Sequence, residues 1–545
     1  MSSKLLLLLL LAVSSKSDDD DLVCELSACQ ALDKSLIYLK ELANRVEDGN
    51  KTSEYLTELE RRLRSLEQPV WEIANSETRW RDCAVGPCKC QLETKTLSCW
   101  QKDLPQLPCE QLVPYDVRSI DLGINALTTL SKSTFMGLTH LTELELFDNR
   151  IDYLPPDLFR KLSSLVYLRL QMNKLENLHP GLLKELFSLR TFDASSNQLK
   201  LLKPGLFSDT PNLIVLHLST NELKFIPDGL FNGLELLEDL DLSQNLLERL
   251  SKSAFADLTA LLQLNLAENN ISVLPTGIEK LPGVPFSFCR RTGRISRFFG
   301  LKLRHILMLN LRKNRISHLS EHLFLKLPKL LILQLTGNQI RQIQPQDFMH
   351  LSSLQELHLG RNLIGSVPGS AFIQNRRLDK LFLFSNNLEE LQAEAFQGLA
   401  NLTCLFIQNN ILREISDRTF LPTPKLLKLQ LDSNKFQFLP ARLFEPLTRL
   451  VSVRLDKNPW HCDCNILYLS RYVEDFYDYE WGNCLRRWVD ANADKLRDLD
   501  LACRGPGDLG GRLLKDMSFD QLCKGQWASM LNLAARVPVK APEER

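Results

Sequence analysis

The 545-residue chain lacks an excess of either charge, with 66 Lys and Arg standing against 66 Asp and Glu. That balance excludes a strongly basic nucleic-acid binder and a wholly acidic, disordered chain. Long apolar runs are also missing. Residues 5–13 form a nine-residue run, and nothing approaches the roughly 18–20 residues that a membrane helix needs. The polar, Pro-containing stretch 537–545 is not a lipid-anchor signal. No P-loop, nucleophile elbow, HExxH zinc motif or credible pair of catalytic carboxylates is present. The expectation is a non-enzyme without cofactor or metal.

Leucine, in contrast, is abundant: 114 residues, about a fifth of the chain and roughly double an ordinary share. At roughly 150 residues per domain the length suggests three or four domains, unless the chain repeats itself. The 14 Cys are clustered, which points to an oxidising compartment. Lys4, the apolar run and Ser14, Ser15 and Ser17 read as a signal peptide over 1–17, so export to the extracellular space is expected. The run Asp18 to Asp21 is read as a solvated tail rather than a calcium site, because adjacent carboxylates without a folded loop make no cage.

The decisive feature is a period. Asn recurs every 24 residues from 125 to 269 and again from 314 to 458, each time after LxxLxLxx or a close variant. Ten residues after most of these Asn stands a Phe, as at Phe135, Phe159 and Phe396. This is the pattern of a leucine-rich repeat solenoid. The LxL pair occupies a short strand with both Leu inward, the strands stack in parallel, and one coil alone cannot bury its apolar face. The Asn side chain is expected to satisfy backbone groups where the chain leaves the strand. The gap of 45 between Asn269 and Asn314 suggests a degenerate, shortened repeat near 281–305, carrying Cys289 and the basic run Arg290, Arg291, Arg294 and Arg297. It reads as a decayed repeat with a bulging loop, or alternatively as a kink or docking loop. Counting it gives about fifteen strands, an α/β solenoid with a parallel concave sheet roughly 65–70 Å long.

Cysteines flank the repeats: Cys83, Cys88, Cys90 and Cys99 before, then Asn458-Pro459-Trp460-His461-Cys462-Asp463-Cys464, Cys503 and Cys523 after. These resemble the cysteine-rich caps of extracellular leucine-rich repeat proteins, the family of Slit, glycoprotein Ib, the acid-labile subunit, the carboxypeptidase N regulatory subunit and the lamprey variable lymphocyte receptors. The resemblance covers about residues 83–525. It implies the pairs Cys83–Cys90, Cys88–Cys99, Cys462–Cys503 and Cys464–Cys523; the spacing alone allows three pairings for each set of four. The chain departs from the family in a longer stretch before Cys503, with an extra Cys484, and in an extra Cys109. Cys24, Cys29, Cys289 and Cys404 are also unassigned. Zinc is the alternative for His461, Cys462 and Cys464, but disulfides suit an exported chain better. The run from Gly505 to Gly510 matches GxGxxG without the flanking strand and helix, and reads as a loop.

Residues 18–82 form a separate helical extension, ahead of the cap at 83–115, the repeats at 116–458, the second cap at 459–525 and a polar tail at 526–545. Leu32, Leu36 and Leu39 mark one helix and Leu56, Leu59, Leu63 and Leu66 a second, ended by Pro69. An intrachain hairpin and an oligomerising coiled coil remain open. Self-association through residues 24–68, with Cys24 and Cys29 nearby, is an expectation. Asn50, Asn270 and Asn401 are glycosylation sequons.

On the concave face, the residues six, four and two before each Asn point outward. The first half places Asp121, Glu143, Glu145, Asp193, Asp239 and Asp241 there, with Arg169. The second places Arg312, Lys380, Lys428 and Arg454 against Glu356, Asp432 and Asp456. The alternative is charge that merely keeps a large surface soluble. Phe382, Phe384 and Phe406 project from adjacent strands near Cys404, and Tyr167 with Phe147 makes a weaker pair. Neighbouring aromatics mark an interaction site or are covered by the chain's own cap. Tyr477 and Tyr479, flanked by acids, are candidates for sulfation, or belong to an amphipathic cap helix. The expected function is a secreted scaffold for an extracellular protein or glycan, with Phe382, Phe384, Phe406, Glu143, Glu145, Asp239 and Asp241 as its partner-binding residues. A co-receptor docking on a membrane receptor is the alternative.

Overall fold

The computed structural model describes residues 51–74, 80–273, 306–472 and 501–523, apart from positions 252, 253, 256, 320–323, 325, 326, 471 and 506. Two units divide the chain at Gln68 and Pro69. In the first, helix α1 spans Lys51–Leu66. Its Glu58 and Arg62 pair one turn apart at 3.0 Å, and Gln68 Nε2 donates to Arg64 O near its end. Pro69 follows and cannot continue the helix. The first helix expected in the extension, and Asn50, lie outside the described residues.

The second unit begins earlier than the cysteine pattern suggested. Strand β1 (Glu72–Ala74) pairs in parallel with β4 (Leu112–Pro114), and the short helix α2 (Trp80–Cys83) precedes the hairpin of β2 (Lys89–Gln91) and β3 (Thr96–Ser98). Residues 69–82, grouped by sequence with the helical extension, thus fall in the unit of the cap. The reason is apolar: Trp71 and Trp80 are buried. Trp80 Nε1 donates to Asp116 Oδ1, whose other oxygen accepts from Lys95 Nζ at 2.8 Å. Gln111 fastens the cap, donating to Cys83 O and accepting from Cys88 N.

From β2 onward a 16-stranded sheet runs through the unit. Its first two strands are the cap hairpin; the other fourteen are repeat strands of three residues each, all parallel and in register. In each, the central residue is buried and its neighbours are half-buried or exposed, as alternation on a pleated strand requires. In the coil from Leu141 to Leu162, eight large apolar side chains are at most 5% exposed, each worth about 2 kcal/mol of burial. No helix lies between Cys83 and Cys464 among the described residues. The convex side is made of hydrogen-bonded turns such as Thr134 N to Ser131 O and Leu138 N to Phe135 O.

The recurring Asn is the hinge of every coil. Asn221 Nδ2 donates to Ala194 O, Leu218 O and Ser219 O, and its Oδ1 accepts from Leu199 N, all at 3.0–3.1 Å. One amide therefore joins two coils and leaves no buried polar atom of its own unpaired. The residue before each Asn takes a left-handed conformation, from Ile124 (φ 53°) to Lys457 (φ 56°), and only Gly337 there is glycine. The turning Phe stack in runs at 6.0–6.5 Å, as from Phe324 to Phe372 and from Phe396 to Phe444. Leu183 interrupts the row, and Phe192, standing where most strands carry Leu, reaches Phe207 at 6.2 Å. Trp71 closes the row at one end, edge-on to Phe135. Tyr472 closes it at the other, 4.6 Å from Phe444.

The expected fifteenth strand is absent from the sheet. The strand Gln263–Asn265 pairs directly with Met308–Asn310. Asn314 bonds Leu266 O and Ile271 N as every other Asn bonds its preceding coil. The 45-residue step therefore adds one strand to the sheet and not two; residues 281–305 lie outside the described residues. Backbone register decides this, and sequence spacing could not. At about 4.8 Å per strand the fourteen repeat strands span roughly 62 Å.

Candidate functional site

The outward positions of the strands form the concave face, and its two halves differ. In the first half the carboxylates are largely occupied by the protein itself. Asp121, Asp193 and Asp241 each accept the backbone N–H two residues on, from Gly123, Ser195 and Ser243, at 2.8–2.9 Å. An Asp at this position closes a small turn where the strand ends. Glu143 accepts from Ser119 Oγ, and Glu145 holds Arg169 at 2.7 Å. Burial raises the Asp121 and Glu145 carboxyls, and their acidic neighbours add to it.

His217 was passed over in the sequence and is central here. Its ring stands between Asp193, at 3.9 Å, and Asp239, at 3.7 Å, one strand to each side. These two carboxylates push its pKa to about 10, against the opposing effect of burial. Burial alone would raise Asp193, but His217 and Ser195 outweigh it and hold the carboxyl low. The signal was available: a His four before Asn221, with an Asp 24 residues earlier and another 22 later.

In the second half the distinguishing feature is a ladder of rings. Phe382 and Phe406 occupy facing positions on adjacent strands and stack at 4.8 Å with 3° between their planes. His358, on the strand before, stacks on Phe382 at 4.1 Å and 14°. Burial lowers the His358 pKa despite the nearby Glu356, so the ring is a neutral aromatic rung. Each ring covers a face of the next, so all three are half-buried rather than fully exposed, and their edges line the groove. Phe384 lies over Gly360, where any side chain would meet its ring; Phe147 lies over Gly123 in the same way. Tyr167 is exposed, and among the described residues it makes no ring contact with Phe147.

Charge beside the ladder is paired on one side. Lys380 Nζ meets Glu356 at 2.8 Å, and Arg312 and Lys313 both meet Glu268. Asp432 is raised by burial and by Asp456. Cys404 is a free, half-buried thiol between Lys380 and Lys428 in register, and Cys109 is free and exposed. Cys24, Cys29, Cys289, Cys484, Tyr477 and Tyr479 lie outside the described residues. Of the described sequons, Asn401 is exposed and its amide bonds Arg376 O and Lys425, whereas Asn270 is half-buried. Four disulfides close the ends: Cys83–Cys90, Cys88–Cys99, Cys462–Cys503 and Cys464–Cys523. Cys462 and Cys464 are thereby spent, so a zinc site with His461 is ruled out.

The family model described as Leucine rich repeat matches overlapping windows that together cover residues 115–284 and 304–459, more than half of the chain. The chain belongs to the leucine-rich repeat family. Its ends resemble the caps of the extracellular members, and all four disulfides fit them. No curated protein matches the chain. Among solved structures it is similar to the TLR13–ssRNA13 complex, with TM-score 0.59 and 24% identity over 74% of this chain and 54% of that one. It is similar to the glycosylated Toll–Spatzle complex of Drosophila, with TM-score 0.58 and 21% identity over 75% and 56%. A leucine-rich repeat protein of Leptospira interrogans gives TM-score 0.53 and 24% identity over 74% and 98%. The chain spans about half the length of the first two, and the likeness is one of fold. No described helix is long and apolar enough to cross a membrane.

Proposed function

We propose that this leucine-rich repeat protein is a secreted, non-enzymatic scaffold that holds a protein partner on the second half of its concave face. The observation that carries the reading is the ladder His358–Phe382–Phe406 with Phe384 beside it. Clustered aromatics supply large contact area at small entropic cost and dominate interface energetics. The first half supports it by contrast. Glu143, Glu145, Asp239 and Asp241, equal candidates in sequence, already have internal partners or a turn to close.

The signal-like N-terminus and the disulfide caps support export. Toll is in complex with Spatzle and TLR13 with RNA. The acidic first half speaks against an RNA reading here, because phosphates would meet Asp121, Glu143 and Glu145. Carrier or regulatory subunit, matrix or guidance protein, and humoral recognition protein are the roles compatible with such a scaffold. Docking on a membrane receptor as co-receptor is the second reading, and the exposed, extended groove supports it equally. Self-association through residues 24–68 is a separate proposal, and a monomer by non-reducing gel and sedimentation would dismiss it.

Affinity purification from extracellular fluid with the wild-type chain and with Phe382→Ser/Phe406→Ser tests the site. The double variant is expected to lose the partner while Asp239→Asn/Asp241→Asn keeps it. Retention by the aromatic variant would refute the reading.

A further inference from the structure

At the junction of the last repeats with the C-terminal cap lies an open crevice of about 1050 Å³. Its position follows from how the cap is sewn on. His461 N donates to Gln437 O, Cys462 N to Gly505 O, and Arg504 N to Trp460 O, while Cys462–Cys503 locks the two cap segments together. These bonds hold the cap beside the coil of residues 435–441 and leave the crevice between them. Its floor is aromatic and apolar. Phe438 and Tyr468 are half-buried there, and Phe438 meets His461 edge-on at 5.7 Å.

Three cations stand around that floor: Arg413, Lys435 and Arg504, all exposed. None has a carboxylate partner among the described residues, in contrast to Arg169, Arg312 and Lys380 on the concave face. Glu414 is the single acid among the lining residues. Cations converging on an aromatic floor match carboxylates that alternate with an aromatic side chain. Arginines recognise acidic motifs through charge-assisted bonds, and rings pack edge-to-face on rings.

We propose that this crevice is a second binding site, specific for an acidic peptide segment that carries an aromatic residue. It does not depend on the concave face. Backbone hydrogen bonds and a disulfide set the frame, so the side chains of Arg413, Lys435 and Arg504 are free to be changed without unmaking it.

The test is fluorescence anisotropy of the full chain with a short fluorescein-labelled peptide of alternating Glu and Phe. Binding is expected, and Arg413→Gln/Lys435→Gln/Arg504→Gln should weaken it by about tenfold or more. A peptide with Gln in place of Glu should not bind, and the Phe382→Ser/Phe406→Ser chain should bind as well as wild type. Equal thermal stability of wild type and triple variant keeps the comparison clean. Unchanged affinity in the triple variant, or equal binding of the Gln peptide, overturns the proposal. So does a heparin oligosaccharide that binds there when the peptide does not. A chain that binds only after residues 474–481 are removed would assign the crevice to its own acidic stretch and overturn it too.

Discussion

The two halves of the concave sheet have the same backbone and different outward rows. In the first, Asp121, Asp193 and Asp241 close turns, Glu145 holds Arg169, and Asp193 and Asp239 grip His217. In the second, three rings stack with their edges open to the groove. Charge that is already neutralised or hydrogen-bonded has little left to offer a partner, whereas aromatic edges have spent only their faces. A polarised groove in the sequence therefore becomes, in the structure, a satisfied half and an available half.

The first way to break this comparison is to show that the frames differ. Asn221→Ala and Asn386→Ala each remove an amide that bonds four backbone groups. Each should cost about 3 kcal/mol or more, given the price of stranding buried carbonyls. Urea unfolding should show equal losses, and a large inequality would mean the halves are not built alike.

The next test separates them. Phe382→Ser/Phe406→Ser should weaken partner binding by about 2 kcal/mol or more, as loss of an aromatic hot spot does. Asp239→Asn/Asp241→Asn should change it little. Titration calorimetry with the purified partner measures both, and the reverse ranking would move the site to the first half.

Two buried or clamped groups both lose stability as pH rises, each in its own window. His217 has a pKa raised to about 10, above its usual 6.5. Its contribution to stability is thus full below pH 6.5 and lost as pH rises through 10. The urea midpoint of the wild type should fall across that window, and His217→Gln should flatten the fall. Asp347, pushed up to about 6 by burial, has a buried Oδ1 with no donor among the described residues. Ionising it costs stability as pH climbs from 3.8 to 6. Asp347→Asn should therefore gain about 1 kcal/mol at pH 7 and nothing below pH 3.8. The smallest effect is expected from Gly360→Ala, which should displace the Phe384 ring and weaken partner binding a few-fold with stability nearly unchanged.

Much of the fold was legible because a solenoid is nearly one-dimensional: a 24-residue ruler places each strand, each Asn and most of the Phe. The aromatic pair Phe382 and Phe406 followed from the same ruler. What could not be read was anything that depends on two rows meeting. The clamp on His217 needs side chains from three strands, and the third rung, His358, looks like a lone polar residue until Phe382 covers it. The turn-closing role of Asp121, Asp193 and Asp241 needs backbone geometry. The direct pairing of Leu264 with Leu309 needs coordinates, because a spacing of 45 is equally compatible with an extra coil. Trp71 was hidden behind Pro69, where the helical pattern stops and the buried end of the Phe row begins.

That pairing has a further consequence. Paired residues stand 45 apart at Leu264 and Leu309 and 24 apart at Leu240 and Leu264, yet both steps use the same hydrogen-bond ladder. Lengthening a surface excursion costs only about 0.6 kcal/mol per doubling. The parallel register from Leu264 to Leu309 is therefore indifferent to how many residues separate the paired strands, 45 in one step and 24 in the other.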